Sequence, residues 1–140
     1  MPHHFARVAI CILLAVVLFG CSKPTSSVAP AAVKVTDIDV GRSVAADKSI
    51  ADKTDSFRPA DTFYVAVKTD GSSSSATITA RWTYQDGQLV DESRQTIAPS
   101  GAAVTEFHVS KPEGWPAGAY KVEVSLDGVS AGTKDFRVTP

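Results

Sequence analysis

Residues 76–84 read ATITARWTY. Ala76, Ile78, Ala80, Trp82 and Tyr84 alternate without a break with Thr77, Thr79, Arg81 and Thr83. Successive side chains of an extended strand point to opposite faces, so a period of two predicts a half-buried strand. The alternation puts Trp82 on the inner face and a row of threonines with one arginine on the outer.

The same period recurs outward from this segment. In YKVEVSL (120–126), Tyr120, Val122, Val124 and Leu126 share one face, and Lys121, Glu123 and Ser125 the other. Phe63, Val65 and Val67 form a third inward row, against Tyr64, Ala66 and Lys68. Ala103, Thr105, Phe107 and Val109 make a fourth, and Phe136 with Val138 a fifth. VKVTDIDV (33–40) changes phase between Val35 and Ile38, which predicts a bulge or a strand that switches sheets. LVDESRQTI (89–97) is mostly polar and charged, as expected of an edge strand protected from pairing with other chains. Residues 41–60 lack periodicity and read as a long connection pinned by Val44, Ile50 and Phe57.

Asp70-Gly71, Asp86-Gly87 and Asp127-Gly128 are hairpin signals, because Asp and Gly tolerate positive φ. Ser72–Ser75 extend the first into a loop. Pro99-Ser100-Gly101 and the 112–118 run PEGWPAG supply further breaks. About seven strands with no helix over 33–140 predict an all-β fold, a single antiparallel β-sandwich. GAYKV (118–122) resembles the start of strand F in immunoglobulin-like domains, where a Tyr stands two positions before the inter-sheet Cys. The resemblance covers about residues 33–139. It implies that Val122 takes the Cys position, that Val65 or Val67 is its strand-B partner, and that Trp82 is the buried strand-C tryptophan. An apolar pair then replaces the disulfide.

The N-terminus has another character. MPHHFAR carries Arg7, and no acidic residue precedes Asp37. VAICILLAVVLF (8–19) is apolar throughout. A bilayer span needs about 20 residues, so this run fits instead the apolar helix of an export signal. Leu18-Phe19-Gly20-Cys21 after such a run resembles the lipobox of bacterial lipoprotein signals, with Phe19 bulkier than the residue usual there. The resemblance implies a diacylglyceryl group on the Cys21 thiol, cleavage between Gly20 and Cys21, and further acylation by chains such as palmitate. SKPTSSVAPAA (22–32), rich in Ser, Pro and Ala, reads as a flexible tether. Cys11 lies in the segment to be removed, which leaves Cys21 without a disulfide partner. The expected division is a signal peptide at 1–20, a lipidated Cys and tether at 21–32, and the sandwich at 33–140. Ser22, not Asp, follows the cysteine; by resemblance this favours the outer membrane facing the periplasm over the inner membrane or the cell surface.

Fourteen Lys and Arg are spread among fifteen Asp and Glu, for a net charge of −1. Nucleic acid is therefore not an expected partner, since it calls for a concentrated basic patch. His108 is the one histidine past position 4, on the face opposite Phe107 and Val109. Zinc wants several His or Cys ligands. Asp47, Asp52 and Asp55 share a loop but lack calcium-loop spacing. No catalytic residue, metal or cofactor is expected. Trp115, in a Pro/Gly turn, is the candidate partner surface, for a protein or more weakly a glycan; the other reading has it fold back to plug the sandwich beside Tyr120. The function expected is a membrane-anchored, non-catalytic binding or accessory module with a protein partner in the envelope. The alternative is an inhibitor or stabiliser of an envelope protease or lysozyme acting through loops. A hydrolase built on His108 comes last.

Overall fold

The computed structural model describes residues 32–140, and among these the fold is all-β. Eight strands follow in order: β1 (Lys34–Gly41), β2 (Ser56–Phe57), β3 (Phe63–Asp70), β4 (Ala76–Tyr84), β5 (Gln88–Ile97), β6 (Ala103–Val109), β7 (Gly118–Leu126) and β8 (Val129–Val138). They form two sheets, one ordered β1-β3-β6 and the other β2-β8-β7-β4-β5. All pairings are antiparallel except the short parallel one between β2 and β8.

The period-two rows become the core. Phe63, Val65 and Val67 of β3 face Ile78, Ala80 and Trp82 of β4 and Tyr120, Val122 and Val124 of β7, all buried in one cluster. Trp82 lies opposite Val122 in the β4–β7 register. Val65, Val67 and Val122 are all fully buried in this cluster, so apolar packing stands where immunoglobulin-like domains often place a disulfide.

The phase change in β1 is a bulge. Val35 pairs with Thr69 and Asp37 with Lys68, so Thr36 is the extra residue and the strand stays in one sheet. The 41–60 connection contains a small hairpin, with Val44 bridging Ile50 and Gly41 bridging Lys53. It returns past β1, where the Lys53 ammonium lies 2.9 Å from Asp39. Ile50 and Phe57 are buried, whereas Val44 is only half-buried. The two-residue β2 is too short to leave a periodic trace in sequence.

Asp86-Gly87 and Asp127-Gly128 do close hairpins, β4–β5 and β7–β8. Asp70-Gly71 does not: β3 and β4 belong to different sheets, and the turn carries the chain across the sandwich. Gly71 has the positive φ that its sequence signalled, but its carbonyl accepts from Gly101 N of the β5–β6 connection, at 2.9 Å. An Asp-Gly pair reports local backbone conformation and not which sheet the next strand joins.

Replacing Trp82 by alanine removes the largest fully buried side chain. Truncating a core tryptophan costs about 3–5 kcal/mol of unfolding free energy. Urea denaturation followed by circular dichroism should show that loss; a change of less than about 1 kcal/mol would contradict the placement of Trp82 at the centre of the core.

Candidate functional site

Ala32 bridges Ser72 at one end of the sandwich. The opposite end is built from the 42–62 connection, the β4–β5 turn and the β6–β7 loop, and it holds the aromatic residues that the sequence singles out. Trp115 is 6% exposed. Its ring stacks on Phe63 with centroids 4.5 Å apart and planes inclined by 18°. Its indole Nε1 donates to the Asp61 carbonyl at 2.9 Å, and its backbone N donates to the Pro59 carbonyl at 2.7 Å. Trp115 therefore plugs the end of the sandwich beside Tyr120 and leaves only a small part of its surface to a groove beside β5. A projecting Trp115 is not what the geometry shows. Phe63 covers one face of the ring.

Tyr120 locks the same loop. Its hydroxyl donates to the Pro116 carbonyl at 2.8 Å, the arrangement of a tyrosine corner. Its ring stacks on Phe136 and lies 4.7 Å from that of Tyr84. Burial, with a smaller contribution from Tyr84, pushes the Tyr120 phenol up to about 12. Gly118, two residues earlier, has φ of +146°, and a Cβ there would lie 2.9 Å from the Tyr84 ring. That position therefore demands glycine. Tyr84 completes the lock by donating to the Ala117 carbonyl at 2.9 Å.

Beside this plug runs an open groove of about 460 Å³, between β5 and the β6–β7 loop. Tyr84, Leu89, Val90, Val109, Lys111 and Pro116 line it. Leu89 is 53% exposed, an unusual position for a large aliphatic side chain on a strand. The groove offers apolar contact and the free edge of β5, with Asp91 and Lys111 as its charges. These features suit association with a polypeptide better than bond-making chemistry. The edge is legible in the polar sequence of 89–97 but the exposure of Leu89 is not, because the bulge at Val90 that sets it opposite Thr83 leaves no periodic trace in so polar a segment.

His108 lies on β6, facing away from the core, with its side chain 59% exposed. Nδ1 is 2.7 Å from Glu106 Oε1, and the ring rests 5.4 Å from that of Tyr64. Among the described residues its side chain has no hydroxyl within hydrogen-bonding distance, so an acid and a histidine meet without a nucleophile. The loop aspartates are also dispersed: Asp52 pairs with Arg42 at 3.0 Å, and Asp47 accepts from Ser49. A separate cluster, not foreseen, joins β1 to β3. Lys68 Nζ sits 2.9 Å from Asp37 and 3.0 Å from Asp39. The Lys68 hydrogen bond holds the Asp37 carboxyl below its ordinary value. At Asp39 burial works upward, but Lys53 and Lys68 prevail and the value is lowered. Leu18, Gly20 and Cys21 lie outside the described residues.

No family model and no curated protein matches the sequence. Among solved structures, an immunoglobulin-like protein from Pseudomonas aeruginosa superposes with a TM-score of 0.54 at 16% identity, over 78% of this chain and 98% of that one. The alkylpurine DNA glycosylase AlkC of Pseudomonas fluorescens gives 0.51 at 11% identity, over 77% of this chain but only 30% of its own. At such identities the likeness concerns the fold: residues 32–140 form an immunoglobulin-like β-sandwich.

Tyr120→Phe removes one buried hydrogen bond and should cost about 1 kcal/mol of stability. The pH dependence has a definite sign. The folded phenol titrates above its ordinary value of 10.0, so the fold favours the neutral form. That contribution is complete below pH 10 and is lost as pH rises towards about 12. Denaturation between pH 9 and 12 should show a steeper decline in the wild type than in Tyr120→Phe; equal slopes would contradict the burial of this hydroxyl.

Proposed function

We propose that this chain is a lipid-anchored protein of the bacterial cell envelope whose immunoglobulin-like domain is a non-catalytic binding or accessory module. The observation that carries the reading is Leu18-Phe19-Gly20-Cys21, placed directly after Arg7 and the apolar run at 8–19. On this reading residues 1–20 direct export and are removed. The Cys21 sulfur forms a thioether to diacylglycerol, and the freed amine takes a further acyl chain. Two or more acyl chains hold a protein firmly where one does not. Residues 22–32 then act as a tether whose reach is at most about 40 Å. The favoured location is the outer membrane, facing the periplasm.

The geometry of the domain supports this assignment. Its first described bridge, Ala32 to Ser72, lies at the end of the sandwich remote from Trp115 and Tyr120, which suits a tether entering there. On this reading the groove beside β5 lies at the end of the domain remote from the attachment point, which leaves it accessible to a protein partner in the envelope. The non-catalytic reading is supported by the isolation of the His108–Glu106 pair on an open strand face. Trp115, held inside, does not supply the projecting anchor that an inhibitor or stabiliser of a protease or lysozyme acting through loops would use.

Intact-mass analysis of the membrane-extracted protein should give an N-terminus at Cys21 carrying a diacylglyceryl thioether. Cys21→Ala should take up no fatty-acid label while its domain gives an unchanged circular dichroism spectrum. An unmodified Cys21 in the extracted protein, or undiminished labelling of Cys21→Ala, would overturn the proposal.

A further inference from the structure

The sheet β2-β8-β7-β4-β5 ends on β5, and among the described residues no other segment hydrogen-bonds to the outer edge of that strand. An open edge ten residues long is a template for another strand. Charge usually blocks such templates, but on β5 the charges are of both signs, and their spacing has a consequence. Across the outer face of the sheet, Glu123 of β7 lies opposite Arg81 of β4, and Arg81 opposite Glu92 of β5. This alternating row reaches the free edge as a negative charge. The next row, Ser125, Thr79 and Arg94, reaches it as a positive one.

We propose that β5 pairs antiparallel with β5 of a second copy of this chain, about a two-fold axis at Ser93, to give one continuous sheet through both molecules. In that register Glu92 faces Arg94 of the second copy, and Arg94 faces its Glu92. The row then runs Glu123, Arg81, Glu92 and, across the axis, Arg94. Directly opposed unlike charges on neighbouring strands attract, and like charges in the same places repel. On the inner face Asp91 meets Gln95 of the other copy, a carboxylate opposite an amide. Beyond Asp91 the bulge at Val90 sets Leu89 opposite Thr83 on the outer face, whereas Ile97 pairs with Ala76 on the inner, so these two side chains do not meet. This register overlaps every residue of β5 except Gln88. The bulge at Val90 interrupts the ladder near its ends and leaves Asp91–Gln95 as its regular centre. Within one chain Arg94 and Glu92 already lie 2.7 Å apart, so the four charges about the axis alternate in sign. An interface of this kind is isologous, with the same patch on both partners. Its small area makes it weak in bulk, and confinement to a membrane surface would raise its occupancy.

The test uses the full chain in detergent at about 100 µM, a concentration that populates weak interfaces. Protein mass is measured by light scattering with the detergent contribution removed. The wild type should have the mass of a dimer. Arg94→Glu and Glu92→Arg should each raise the dimer dissociation constant by roughly 30-fold, because two attractions become repulsions. Mixing the two variants in equal amounts should restore the dimer, since each then presents the charge the other lacks; the double swap Glu92→Arg with Arg94→Glu should restore it as well. The mixing experiment also excludes misfolding as the cause of dissociation. A monomeric wild type would overturn the proposal and leave the edge to a strand from another protein. A dimer indifferent to the single substitutions would overturn it by placing the contact elsewhere.

Discussion

One ring, that of Phe63, lies at the point where the two sheets and the distal loops meet. It is fully buried, and five other aromatic rings surround it. Phe57 and Phe136 approach it edge-on at 4.9 and 4.8 Å, Trp115 stacks on it, and Tyr120 and Trp82 complete the set. Such pairs contribute beyond the area they bury, about 0.5–1.5 kcal/mol each. The partners come from the 41–62 connection, β4, the β6–β7 loop, β7 and β8, so a single side chain of β3 ties together segments that share no backbone ladder with it. A domain without a disulfide needs such a tie, because the sheets of a sandwich are otherwise held only by side chains meeting face to face.

The open flank of the sandwich shows the complementary constraint. β5 and β6 are edge strands of different sheets, facing each other without a backbone ladder. The Gln95 amide bridges them by donating to the Glu106 carbonyl of β6. Asp91, Ser93 and Gln95 occupy the inward positions of β5, opposite Trp82, Ala80 and Ile78. Inward polar groups on an edge strand deter indiscriminate pairing while leaving room for a partner that satisfies them.

Much of this was legible in the sequence wherever burial on one face enforces period two. The rows led by Trp82, Val122, Val65 and Phe107 all lie in the core, and the phase slip at Val35–Ile38 is the bulge at Thr36. Features that depend on distant parts of the chain were less visible. Asp70-Gly71 looked like a hairpin because its local chemistry is that of one; the crossing to the other sheet is decided by what β3 and β4 bury. Trp115 could be read as exposed or buried, because a Pro/Gly turn carries no periodicity. Its orientation is set by Phe63 and by the Asp61 carbonyl, both more than fifty positions away. The charge complement along β5 emerges only when the register places Arg81 between Glu123 and Glu92.

Phe63 couples both sheets to the distal loops, and hydrogen exchange on a Phe63→Leu variant tests this most directly. Leucine keeps the site apolar but cannot reproduce the five ring contacts. Coupling through Phe63 predicts that protection falls together in the 57–62 connection, the 110–117 loop and the paired amides of β4, β7 and β8 beside Trp82, Tyr120 and Phe136. Loss confined to β3 and its partner strands β1 and β6 would contradict the claim.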